Sequence, residues 1–143
     1  MTFTAKIQCT IHAAVPRVWA AITRPEQVKK YFFGTDMVTS WQPGTPIFFR
    51  GEWEGKPYED KGRVLKFDPE KMLEYDYHSS WSDLPDLPEN YQIIRYALKA
   101  KGNGTVFTIT QRNIDTLEKK VHSVQNWTAL MKEMKKLLET NQL

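Results

Sequence analysis

The sequence predicts an α+β fold. A curved antiparallel sheet of about seven strands wraps a long C-terminal helix, with two short helices after the first strand. Three observations carry this. Residues 3–12 alternate apolar and polar, Thr35 to Gln111 reads as strands and turns, and the last segment repeats at helical spacing without Gly or Pro.

Phe3, Ala5, Ile7, Cys9 and Ile11 share one side of the first strand, opposite Thr4, Lys6, Gln8 and Thr10. Cys9 therefore reads as a small core residue rather than a reactive thiol. The period then changes: Val15, Val18, Trp19 and Ile22 fall at helical spacing, with Pro16 suited to a first turn. Thr23 and Glu26 stand at capping-box spacing before a second short helix through about Lys30, while Arg24 precedes Pro25 and favours extended backbone.

In the strand region, Ile47, Phe49, Gly51 and Trp53 share one face, opposite Phe48, Arg50 and Glu52. Residues 57–67 form another strand whose inward face stays open, because Val64 and Leu65 are adjacent and Gly62 permits a bulge. Leu73, Tyr75, Tyr77, Ser79 and Trp81 then oppose Glu74, Asp76 and His78, so the aromatic side faces inward. Ser82 to Asn90 holds two Leu-Pro pairs and three acids, which predicts a loop at the rim of the sheet with solvated carboxylates. Ile94, Tyr96 and Leu98 alternate next, Gly102-Asn103-Gly104 marks a hairpin, and Phe107 and Ile109 lie on the strand that returns.

Asp115 and Glu118 read as an N-terminal cap pair for a helix beginning at Thr116. Leu117, Val121, Val124, Trp127, Met131, Met134 and Leu138 recur at three- and four-residue steps. Roughly 24 such residues span about 36 Å, enough to cross a small domain.

At 143 residues the chain predicts one domain, 1–143, with one core large enough to need neither metal nor disulfide. Its 20 basic and 17 acidic residues are interspersed, which argues against nucleic acid as a partner. The alternating N-terminus is unlike a signal peptide, and no apolar run approaches the roughly 20 residues of a membrane span. The expectation is a cytoplasmic protein without membrane insertion, monomeric or weakly dimeric. His12, His78 and His122 have no His, Cys or carboxylate at ligand spacing, so no metal is expected. Nucleophile-elbow, phosphate-loop and HExxH patterns are absent, so no cofactor and no catalytic residue is assigned.

The candidate site is aromatic. Phe49 and Trp53 on one strand, Tyr75, Tyr77 and Trp81 on another, and Tyr96 and Phe107 on the last hairpin are all expected inside. Val124, Trp127 and Met131 face them from the helix. These ten residues either line a cavity for a small hydrophobic or aromatic molecule or simply fill the core.

The order of local motifs resembles a known family. Ile11 precedes Val15-Pro16-Arg17-Val18-Trp19-Ala20-Ala21-Ile22-Thr23 and then Pro25-Glu26; Pro43-Gly44 precedes Ile47-Phe48-Phe49. Gly62-Arg63-Val64-Leu65 leads to Asp68-Pro69 and Leu73-Glu74-Tyr75, and Trp127 stands about ten residues into the last helix. Together with Thr105 to Thr110, this is similar to the activator of heat-shock-protein-90 ATPase homologue proteins, a branch of the START-like (SRPBCC) superfamily. The resemblance implies the helix-grip fold, a sheet curled around its C-terminal helix with a cavity between them. It implies no single activity: a non-catalytic ligand binder, a chaperone or partner-protein regulator, and a cyclase-like enzyme using cavity tyrosines all remain open.

Overall fold

The computed structural model describes residues 1–143. In chain order it contains β1 (Phe3–Ile11), α1 (Val15–Thr23), α2 (Pro25–Tyr31), β2 (Asp36–Thr39), β3 (Pro46–Trp53), β4 (Lys56–Asp68) and β5 (Met72–Tyr77). A 3-10 turn (Pro88–Asn90), β6 (Gln92–Lys101), β7 (Gly104–Ile114) and α3 (Leu117–Glu139) complete it. All seven strands join one antiparallel sheet in the order β1-β7-β6-β5-β4-β3-β2. This is the α+β helix-grip architecture read from the sequence.

Local chemistry explains most boundaries. Pro16 and Pro25 each sit in the first turn of a helix, and Arg24 between them is extended (φ −90°, ψ 121°), as a residue before proline prefers. The expected Thr23–Glu26 capping box does not form. Thr23 still belongs to the last turn of α1, where its hydroxyl donates to the Trp19 carbonyl at 2.7 Å, and Arg24 takes the cap position. Between β6 and β7, Lys101 pairs with Gly104 across a two-residue turn whose Gly102 has φ +58°.

β4 determines how the sheet bends. Its first half, Lys56 to Arg63, pairs with β3, and its second half, Val64 to Asp68, pairs with β5. Two features lie at the changeover. Leu65 is an extra residue between the Val64–Tyr75 and Lys66–Glu74 pairs, a bulge that bends the strand. Gly62 crosses so close to the Asp76 carbonyl that a Cβ there would lie 1.7 Å from its oxygen. The expected bulge is thus at Leu65, and Gly62 serves the close approach instead.

The core lies between the concave face of the sheet and the three helices. Val18, Ile22, Ile47, Leu73, Phe107, Met134 and Leu138 are fully buried in it. Each such side chain contributes on the order of 2 kcal/mol by leaving water. Alternation assigned Glu74 to the outer face, and it is there, yet it is only 4% exposed. Arg95 (3.2 Å) and Arg112 (3.1 Å) from the neighbouring strands fold over its carboxylate and cover it. His78, also expected outside, is buried by stacking on Tyr91 at 5.2 Å between ring centroids.

Candidate functional site: an aromatic cavity under the first half of α3

The helix does not pack on the sheet along its whole length. Its buried residues are Trp127, Leu130, Met131, Met134 and Leu138, all from the middle of the helix onward. Leu117 and Val121, expected on the inward stripe, are 57% and 50% exposed. The first half instead presents Lys119, His122, Ser123 and Asn126 to a cavity of about 860 Å³. That volume is in the range of small-molecule sites.

Helix spacing explains the misreading. Leu117, Val121 and Val124 share one face, and Lys119, Ser123, Asn126 and Leu130 share another at the same three- and four-residue steps. Because the second face is polar in its first half, hydropathy favoured the wrong one. Val124 is half-buried and does not reach the cavity.

The floor of the cavity is aromatic: Phe32, Phe49, Tyr75, Tyr77 and Trp127, with Ile94 and Leu130. Phe49 stands between Phe32 (5.7 Å, stacked) and Tyr75 (5.5 Å, tilted). Phe33, Trp53, Tyr58 and Trp81 form the mouth. Trp53 and Trp81, expected inside, are 55% and 57% exposed. The cause is strand length: β5 ends at Tyr77, so alternation no longer governs Trp81, and Trp53 sits at the tip of β3 where no element covers it. Trp81 instead packs against Tyr58, centroids 5.2 Å apart.

Tyr96, Phe107 and Met131 are buried behind the wall rather than on it. Tyr96 meets Tyr75, Phe107 and Trp127 edge-on at 6.0, 5.6 and 6.0 Å. Together these rings make a packed second layer that holds the floor in place. Of the ten sequence candidates, six therefore border the cavity and four do not.

Polar groups missed by the sequence reading complete the wall. The Trp127 indole donates to Gln111 Oε1 at 2.6 Å, and the Gln111 amide in turn donates to Gln92. Gln111 continues the inward parity of Phe107 and Ile109, and Gln92 that of Ile94 and Tyr96. That parity was the available signal. Across the cavity, the Tyr77 hydroxyl donates to Asp60 at 3.0 Å. The Tyr75 and Tyr96 hydroxyls lie 3.3 Å apart. Burial pushes the pKa of Tyr75, Tyr77 and Tyr96 well above the ordinary tyrosine value, so these hydroxyls donate and do not act as bases near neutrality.

The acidic loop lies at the rim with solvated carboxylates, as expected, and ion pairs tie it down as a strap over the mouth. Asp83 meets Lys119 of α3 at 2.5 Å, and Asp86 meets Lys61 of β4 at 2.6 Å. Each lysine, hydrogen-bonded to its partner's carboxyl, holds that carboxyl below the usual range, so these acids are not of ordinary pKa as solvation alone would leave them. Asn113 donates to the carbonyls of Glu89 and Tyr91, anchoring the end of the strap.

Comparison with known proteins agrees with this geometry. Residues 12–139 match the family described as Activator of Hsp90 ATPase homolog 1-like protein. The chain belongs to this family. Among curated proteins, none matches the sequence. The solution structure of ChR145 from Cytophaga hutchinsonii is 39% identical, with a TM-score of 0.84 over 97% of this chain and 95% of that one. Protein MLL2253 from Mesorhizobium loti is 17% identical at TM-score 0.80, covering 99% of this family member and 100% of that chain. DynU16, a putative protein in the dynemicin biosynthetic locus, is 16% identical at TM-score 0.80 over 96% of this chain and 48% of that one. The last two likenesses concern the fold alone. As a family member the chain has the START-like, helix-grip architecture, and no helix in it is long and apolar enough to cross a membrane.

Proposed function

We propose that this protein binds a small hydrophobic or aromatic molecule, without catalysis, in the cavity between the sheet and the first half of α3. The observation that carries the reading is the wall itself: nine of its twelve hydrophobic residues are aromatic and only Leu84, Ile94 and Leu130 are aliphatic. Rings of this kind favour a flat partner over an acyl chain, and the neighbouring Gln92, Gln111 and Asn126 amides can orient its polar substituents. Thermal shift and NMR titration with a panel of planar and acyl-chain compounds test it. Planar compounds raising the melting temperature, with shifts confined to cavity residues, is the expected result; no binding by any member of the panel defeats the reading.

A second reading, regulation of a partner protein of the Hsp90 ATPase type, draws on the family description and on the uncovered Leu117 and Val121. An ATPase assay with an Hsp90 homologue decides it, and absence of stimulation removes it. The cyclase-like reading is weaker, because the carboxylate beside the cavity tyrosines, Asp60, is already taken up by the Tyr77 hydroxyl and by Ser80. Replacing Tyr75, Tyr77 and Tyr96 with Phe would leave any such turnover without its donors.

A further inference from the structure

The binding reading leaves open the charge of what enters the cavity, and the wall bears on that directly. Aromatic rings carry negative charge on their faces and attract cations. The protein's own stacked cation is Arg50 over Phe48, 4.7 Å from the ring centroid, on the side of β3 opposite Phe49. The rings of the cavity have no such partner.

The ionised groups of the wall have the same sign. Three carboxylates, Asp60, Asp83 and Asp115, face one ammonium, Lys119, a formal −2 with His78 and His122 counted neutral. Lys119 is already committed, to Asp83 at 2.5 Å and to Asp115 at 3.1 Å. A ligand carboxylate would therefore enter without a free counter-charge. Asp60 is satisfied by the Tyr77 hydroxyl and by the backbone and hydroxyl of Ser80. Asp115 is not: its Oδ1 is buried and has no hydrogen-bond partner. A buried acceptor without a donor is a deficit. A turn of the Asp115 carboxyl about its last torsion would bring that oxygen to the cavity wall, where an N–H of a ligand would remove the deficit.

Resting on the binding reading above, we propose that the cavity selects cationic aromatic molecules, a flat ring system against the aromatic wall with its ammonium group at Asp115, and refuses carboxylates of the same shape. Desolvating the cation is costly, and the ring faces and the unpaired carboxylate oxygen offset that cost together.

Three fluorescent probes that differ in one substituent test this: 9-(aminomethyl)anthracene, 9-anthracenemethanol and 9-anthracenecarboxylate, titrated into the intact protein at pH 7.5. The ammonium form should bind about tenfold tighter than the alcohol, and the alcohol tighter than the carboxylate. Asp115→Asn should reduce the ammonium's advantage over the alcohol to about threefold or less. Lys119→Met, which removes the wall's cation, should widen the gap between ammonium and carboxylate, and supplies the readout if Asp115→Asn folds poorly. Equal affinities, or a preference for the carboxylate, overturn the proposal and leave the binding function standing. A ranking unchanged in both variants overturns the assignment to Asp115. Failure of all three probes to bind overturns this proposal, and the wider panel of planar and acyl-chain compounds then decides the binding function separately.

Discussion

The Trp127 indole N–H donates to Gln111 Oε1 at 2.6 Å, and that bond marks the level at which α3 parts from the sheet. Beyond it toward the C-terminus the helix is packed; before it the helix roofs the cavity. Both partners are buried. Trp127→Phe keeps a ring but strands the Gln111 oxygen, so a loss of about 1–3 kcal/mol is expected in urea unfolding. Adding Gln111→Leu should recover part of it, because the orphaned acceptor then disappears. A double variant with the full sum of the two single losses would show that the bond couples nothing.

Alkaline pH should unfold the protein through its buried tyrosines. Burial raises the pKa of Tyr31, Tyr75, Tyr77 and Tyr96 above the unfolded value near 10. The native state thus holds these protons more tightly than the unfolded chain. The stability they contribute is fully present below about pH 10 and is lost as pH rises beyond it, by about 1.4 kcal/mol per pH unit for each tyrosine. Unfolding curves at pH 9, 10 and 11, with tyrosinate absorbance followed in parallel, check the slope. Tyr75→Phe should flatten it, and stability constant from pH 9 to 11 would contradict it.

Gly62→Ala places a methyl group 1.7 Å from the Asp76 carbonyl oxygen, where the neighbour is backbone and cannot step aside. A loss of roughly 3 kcal/mol is expected, since β4 and β5 must separate at the bend. Gly55→Ala is the control for chain entropy. That glycine (φ +79°) meets nothing within 4 Å, so its cost is left-handed backbone strain alone and should be smaller, about 1 kcal/mol. Equal losses at the two positions would refute the close approach as the cause.

Thr116, not Asp115, caps α3: its hydroxyl accepts from the Lys119 N–H at 3.1 Å. Thr116→Ala should cost about 1 kcal/mol by thermal or denaturant unfolding. Asp115→Ala removes an ion pair with a partly exposed lysine and should cost less. The reverse order of losses would return the cap to Asp115.

Much of the architecture follows from local sequence. Residues 3–11 alternate, Gly102 allows a tight hairpin, Pro16 and Pro25 open helices, and the unbroken run after Thr116 forms a long one; each is settled by neighbours within a few positions. Side-chain parity also placed Phe49, Tyr75 and Tyr77 on the concave side, and helical spacing turned Trp127 toward them. Parity assigns a face but says nothing of what covers it. Trp53 and Trp81 are exposed at the mouth because no element lies over them, and Glu74 is buried because two arginines from other strands do. The helix face was misread for a related reason. An apolar stripe predicts burial only where the helix touches something, and the divergence of α3 from the sheet depends on the bend of β4 and on how Trp127 seats against Gln111. Sequence by itself therefore determined which elements form and, in the cleanly alternating strands, which way their side chains point. The cavity, its roof of polar helix residues and its carboxylate-rich wall were decided by the tertiary structure, because enclosure is a relation between elements far apart in the chain.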